Sequence, residues 1–157
     1  MGLYNYCYAS GKTMRKLLLV LFLSSALVST ASRAEQPSAN ALVERGLSAY
    51  LKEGPDIAIK TWLKGSGMEG NTQALTQANS LRQIEDFYGK PESYDFVKES
   101  QISSRSKMIV FAINHAKGVV FGRFQVYQTK SGEWVATEFK FHTEAAALLP
   151  SEMVFGK

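Results

Sequence analysis

The sequence predicts an α+β domain in which three N-terminal helices pack on a curved four-stranded antiparallel meander. Two observations carry the prediction. Between Ser38 and Tyr88 apolar residues recur every three or four positions, the period of helices that bury one face. After Pro91 that spacing gives way to runs rich in Val, Ile, Phe, Tyr and Thr, separated by short glycine- or serine-bearing turns.

The first 34 residues are read as targeting rather than fold. Met14-Arg15-Lys16, the apolar run Leu17 to Val28 and the small-residue exit Ser32-Arg33-Ala34 follow the order of a secretory signal, with cleavage near Ala34. The apolar run is about 12 residues where a span needs roughly 20, so no stable membrane anchor is expected. Cys7 precedes the apolar run, which argues against a lipoprotein. Residues 1–13 form an upstream extension, and Met14 is an alternative start. Residues 35–157 are then a single exported domain, periplasmic or secreted.

Removing that leader changes the charge argument. Lys12, Arg15, Lys16 and Arg33 lie within it and no acidic residue does, so 14 basic and 14 acidic residues remain. A neutral domain has no general electrostatic pull toward nucleic acid or anionic lipid, and no nucleic-acid partner is expected. The domain also lacks cysteine. Disulfides, thiol nucleophiles and thiolate metal sites therefore fall away.

Ser38 caps a first helix whose Leu42, Val43, Leu47, Tyr50 and Leu51 form one stripe, stopped by Gly54-Pro55. Pro55 opens a short second helix with Ile57, Ile59, Trp62 and Leu63, ended by Gly65-Ser66-Gly67. Asn71 opens a third, lined by Leu75, Ala78, Leu81, Ile84 and Tyr88, with Gly89 and Pro91 as its stop. Four strands follow at Ser93–Ile102, Lys107–His115, Val119–Thr129 and Glu133–His142. Lys117-Gly118 and Ser131-Gly132 supply turns with glycine at positive φ, and Ser103 to Ser106 is a polar break. Thr143 caps an alanine-rich turn from Glu144 to Leu149 that Pro150 terminates.

The runs Phe87-Tyr88-Gly89-Lys90-Pro91-Glu92-Ser93-Tyr94, Gly118-Val119-Val120-Phe121-Gly122-Arg123-Phe124 and Trp134 to Glu144, in this order of helices and strands, resemble the nuclear transport factor 2-like superfamily. The resemblance covers roughly residues 38 to 149, and the chain is similar to small exported bacterial proteins of that superfamily with no assigned activity. It implies a cone-shaped α+β domain. That cone hosts isomerases, cyclases, dehydratases and bare binding modules, so the resemblance implies no single activity.

Catalytic chemistry finds little support in the residues. Gly11-Lys12-Thr13 lacks the upstream glycine of a phosphate loop, since Tyr6 stands there. His115 and His142 each close a strand, and two histidines without a ligand cluster predict no metal site. A proton-transfer reaction in the cone would need an inward carboxylate, for which Asp95 and Glu138 are the candidates. Alternation with Tyr94 and Phe96, and with Thr137 and Phe139, turns both outward. No catalytic residue and no cofactor are assigned.

A two-residue turn at Ser131-Gly132 pairs Phe124 with Phe139 on one face. The opposite face then carries Phe121, Arg123 and Tyr127 beside Trp134, a mixture of aromatics and charge typical of interfaces. The expected function is a non-catalytic binding or assembly module that acts through these four residues, as a homodimer or with a protein partner. The alternative is a carrier or enzyme holding a small apolar ligand between helices and sheet, in a pocket lined by Trp62, Tyr88, Phe96, Phe111, Phe124 and Phe139.

Overall fold

The computed structural model describes residues 38–156. The expected export signal, both candidate starts and the expected upstream extension lie outside the described residues.

Helix α1 runs Ala39–Glu53, begun by Ser38, whose hydroxyl accepts from the Ala41 amide at 3.1 Å. Gly54, at φ +88°, turns the chain directly into α2, Pro55–Leu63, with proline in the first turn where its missing N–H costs nothing. The third expected helix is two. Asn71 caps α3, Thr72–Leu75, and α4 spans Gln77–Tyr88. The break falls at Thr76, whose hydroxyl bonds back to the Gln73 carbonyl at 2.6 Å and so draws on the helix's own acceptors. Gly89, at φ +82°, closes α4 by donating its amide to Glu85.

Strands β1 (Pro91–Ser103), β2 (Ser106–His115), β3 (Gly118–Gln128) and β4 (Trp134–His142) form one antiparallel sheet in sequence order. The β2–β3 turn is Ala116-Lys117, because His115 pairs with Gly118. Gly118 is thus the first residue of a strand and has no positive φ. Glycine is required there for a different reason: a Cβ would stand 2.5 Å from the Tyr88 ring. After β4, Thr143 caps nothing. The Glu144 amide is taken by His142 Nδ1 at 2.9 Å, the alanines form a 3-10 turn at Ala145–Ala147, and a short α5, Ser151–Phe155, follows Pro150 without having been anticipated.

One core joins the helices to one face of the sheet. Leu42, Val43, Leu47, Tyr50, Ile59 and Trp62 meet Ile109, Phe111, Ile113, Val120 and Phe124, every one of them essentially inaccessible to solvent. Burying each large side chain contributes about 1.5–3 kcal/mol. Trp62 is central, its indole N–H donating to the Val43 carbonyl at 2.9 Å.

Candidate functional site

Strand parity sorts the sheet into two surfaces. On β2, Ile109, Phe111, Ile113 and His115 face the helices, so Met108, Val110, Ala112 and Asn114 face away. Cross-strand pairing extends these into rows on the outer face. One row reads Asp95, Ala112, Phe121, His142 and the next Lys98, Val110, Arg123, Lys140. Ala112 and Val110 are 8% and 5% exposed although they lie outside the core between helices and sheet. Their longer row neighbours cover them, which leaves a small apolar floor rimmed by Phe121, Arg123 and the charged ends of β1 and β4.

The rim is electrostatically ordered. Glu138 receives Lys140 at 3.1 Å and Arg123 at 3.5 Å. The Lys140 hydrogen bond holds the Glu138 carboxyl below the usual carboxylate range; the charges of Lys140 and Arg123 reinforce it and partial burial opposes it. Tyr127, at one end of this face, lies under the Arg105 guanidinium at 4.8 Å. Asp95 is on this outer face too, accepting from Asn114 at 2.8 Å. Neither carboxylate faces the core.

Trp134 does not join Phe121, Arg123 and Tyr127. The hairpin closes with three residues rather than two: the Thr129 amide donates to Glu133 at 2.8 Å across Lys130-Ser131-Gly132, with Gly132 at φ +90°. That shifts the ladder by one, pairing Gln128 with Trp134 and Val126 with Ala136. A bulge at Thr137 then restores the register, so that Phe124 still pairs with Phe139. Residues beyond the bulge keep the expected face and residues before it exchange faces. Trp134 therefore packs on the core side, with Lys107 Nζ 5.3 Å from its ring.

The six aromatics proposed to line a pocket do not enclose one together. Trp62, Phe111 and Phe124 pack on each other at centroid distances of 5.0 to 6.5 Å, and Phe139 stacks on Phe124 at 5.4 Å. Phe141, which sequence reasoning passed over, contacts Trp62, Phe111, Phe124 and Phe139 and completes the filling. Tyr88 stands instead against Gly118, and Phe96 is 40% exposed at the sheet edge beside Tyr94. Gly122 makes room for this filling, since a Cβ there would run into the Phe111 ring.

The two histidines lie on opposite faces. His115 is buried, its Nδ1 2.7 Å from the Gly89 carbonyl and its ring edge-on to Tyr50. Burial first, and the nearby Glu85 carboxylate second, push the Tyr50 phenol far above its ordinary range. Neither the Tyr50 hydroxyl nor His115 Nε2 has a partner at hydrogen-bond geometry. Among the described residues no cluster of His, Cys, Asp and Glu is arranged to hold a metal ion.

A separate cleft of about 510 Å³ opens where the start of α1, the end of α2 and the start of β4 converge. Its apolar walls are Leu42, Trp134 and Val135, and its rim carries Arg45, Lys64 and Glu133. No family model, no curated protein and no solved structure matches this chain.

Proposed function

We propose that residues 35–157 are an exported, non-catalytic binding or assembly module that meets a protein partner, a second copy of itself in the first instance, through the outer face of the sheet. One observation carries this reading: the floor of Val110 and Ala112 on the face away from the helices, bordered by Phe121 and Arg123, with Tyr127 further along the same face beside Ser106. Aromatic and arginine side chains around a dry centre are the composition that concentrates binding energy at interfaces. The filled centre at Trp62, Phe111 and Phe124 favours this over the apolar-pocket alternative. Helices leading into a four-stranded meander support placing the domain among nuclear transport factor 2-like proteins, and the basic-apolar-small leader supports export.

Sedimentation of the protein spanning 35–157, with crosslinking in cells, tests the proposal. Phe121→Ala and Arg123→Ala should each weaken association by about 1 to 2 kcal/mol while leaving unfolding curves in place. Trp134→Ala, on the other face, should leave association unchanged. A strict monomer at high concentration with no crosslinked partner overturns the reading.

A further inference from the structure

The geometry points to a second binding site, independent of the outer face, in the cleft between α1, α2 and β4: we infer that it takes a small amphipathic carboxylate. The cleft holds about 510 Å³, room for a body of ten or so heavy atoms in the lower range of small-ligand sites. Its walls are largely apolar, with Thr61 the polar side chain among them. Leu42 is 2% exposed, and Trp134 and Val135 are half-buried, so an alkyl chain or flat ring laid there loses water on several sides at once.

The rim supplies the complementary charge. Arg45 and Lys64 both border the cleft, and among the described residues neither has a carboxylate within ion-pair distance. Of the nearby acids, Glu133 on the rim accepts from the Ser131 hydroxyl at 3.5 Å in the hairpin loop and Glu69 accepts from the Gly65 amide at 2.8 Å. Ser38, which caps α1, is at the same rim, so the positive end of a 15-residue helix adds to the two cations. An anionic head therefore has donors on the rim while its apolar body lies inside.

Gly65 and the three-residue hairpin keep the cleft open. At φ +75°, Gly65 passes the wall with only hydrogen where a Cβ would stand 4.0 Å from Val135 Cγ1, so any longer side chain there would project into the space. The extra hairpin residue is what turns Trp134 inward to become a wall. Lys107 lies over the indole at 5.3 Å, a cation–π contact that steadies the ring lining the cleft.

Decanoate and 2-naphthoate, titrated calorimetrically into the protein spanning 35–157, test a chain-shaped and a ring-shaped body, and decanol serves as the neutral counterpart. The two tryptophans give the location, since Trp62 is fully buried in the core and Trp134 lines the cleft. Saturable binding of at least one carboxylate is expected, moving the Trp134 indole resonance and not that of Trp62. Arg45→Gln combined with Lys64→Gln should weaken it roughly tenfold or more, the loss expected when a charge-assisted contact goes, without moving the unfolding midpoint. Phe121→Ala should leave it unchanged. Absence of saturation by both acids overturns the inference. So does decanol binding as tightly as decanoate, an unmoved Trp134 resonance, or full affinity in the double variant.

Discussion

Replacing Gly46 by alanine sets two physical arguments against each other with opposite signs. Gly46 lies in the middle of α1, and helix propensity alone favours alanine there by about 1 kcal/mol. The tertiary structure reverses the sign. A Cβ at position 46 falls within 3.0 Å of three atoms of the Trp62 indole, an approach that real side chains do not make. The indole has nowhere to go: it is fully buried, packed on Phe111, Phe124 and Phe141, and held by its hydrogen bond to the carbonyl of Val43. Overpacking a dense core costs about 1–3 kcal/mol. Leaving the indole N–H and the Val43 carbonyl without each other costs about 1–3 kcal/mol more. Against the propensity gain, the net expectation is destabilisation by about 1–5 kcal/mol. Urea unfolding followed by tryptophan fluorescence reads it as a lower midpoint at unchanged slope. A variant as stable as the parent, or more so, would refute the close contact between α1 and Trp62 on which the core argument rests.

Other perturbations follow from the same contacts. Phe124→Ala, at a fully buried ring, should cost about 3–5 kcal/mol, Phe139→Ala at its half-buried partner less, and Lys140→Ala little; equal losses for Phe139→Ala and Lys140→Ala in chemical denaturation would mean that β4 is turned over. Because the folded state holds Glu138 below its unfolded pKa, its contribution is present above the unfolded value and disappears as pH falls through the folded one. Glu138→Gln should therefore lower the unfolding midpoint at neutral pH and converge with the parent in acid, and a gap that persists at the lowest pH argues against the Lys140 and Arg123 pairing. Deleting Thr137 should be tolerated at about 1–2 kcal/mol, since the ladder is in register on both sides of the bulge and the Thr137 hydroxyl bond to Gln125 is the main loss; unfolding of the deletion variant, seen by circular dichroism, contradicts the bulge. Intact-mass measurement on exported protein should place the mature N-terminus near Glu35, and retention of Leu17 to Val28 reverses that expectation.

Much of the fold was legible because its determinants are local. Ser38, Gly54-Pro55, Asn71 and Gly89 act within a turn of where they stand, so helix starts and stops could be placed to within a residue or two. Period-two alternation did the same for four strands, and it placed Asp95 and Glu138 on the outer face; the pairing of Phe124 with Phe139 rested on a two-residue turn and holds only because the bulge at Thr137 offsets the extra turn residue. The split at Thr76 is also local, but a threonine hydroxyl that bonds back to a carbonyl looks the same in sequence as one that points to water.

What the sequence by itself determined is therefore the class of fold, the order of its elements and the side of the sheet to which most residues belong. Tertiary structure decided what depends on counting residues across a hairpin or on distance in space. Alternation carries no information on whether a turn holds two residues or three, nor on where a bulge repays the shift, and that one-residue difference carried Trp134 from the outer surface to the wall of a cleft. Likewise Gly118 reads in sequence as a turn, and neither the helical period nor the strand alternation singles out Gly46 or Gly122. Only packing shows them to be the places where Trp62, Tyr88 and Phe111 need a neighbour without a side chain.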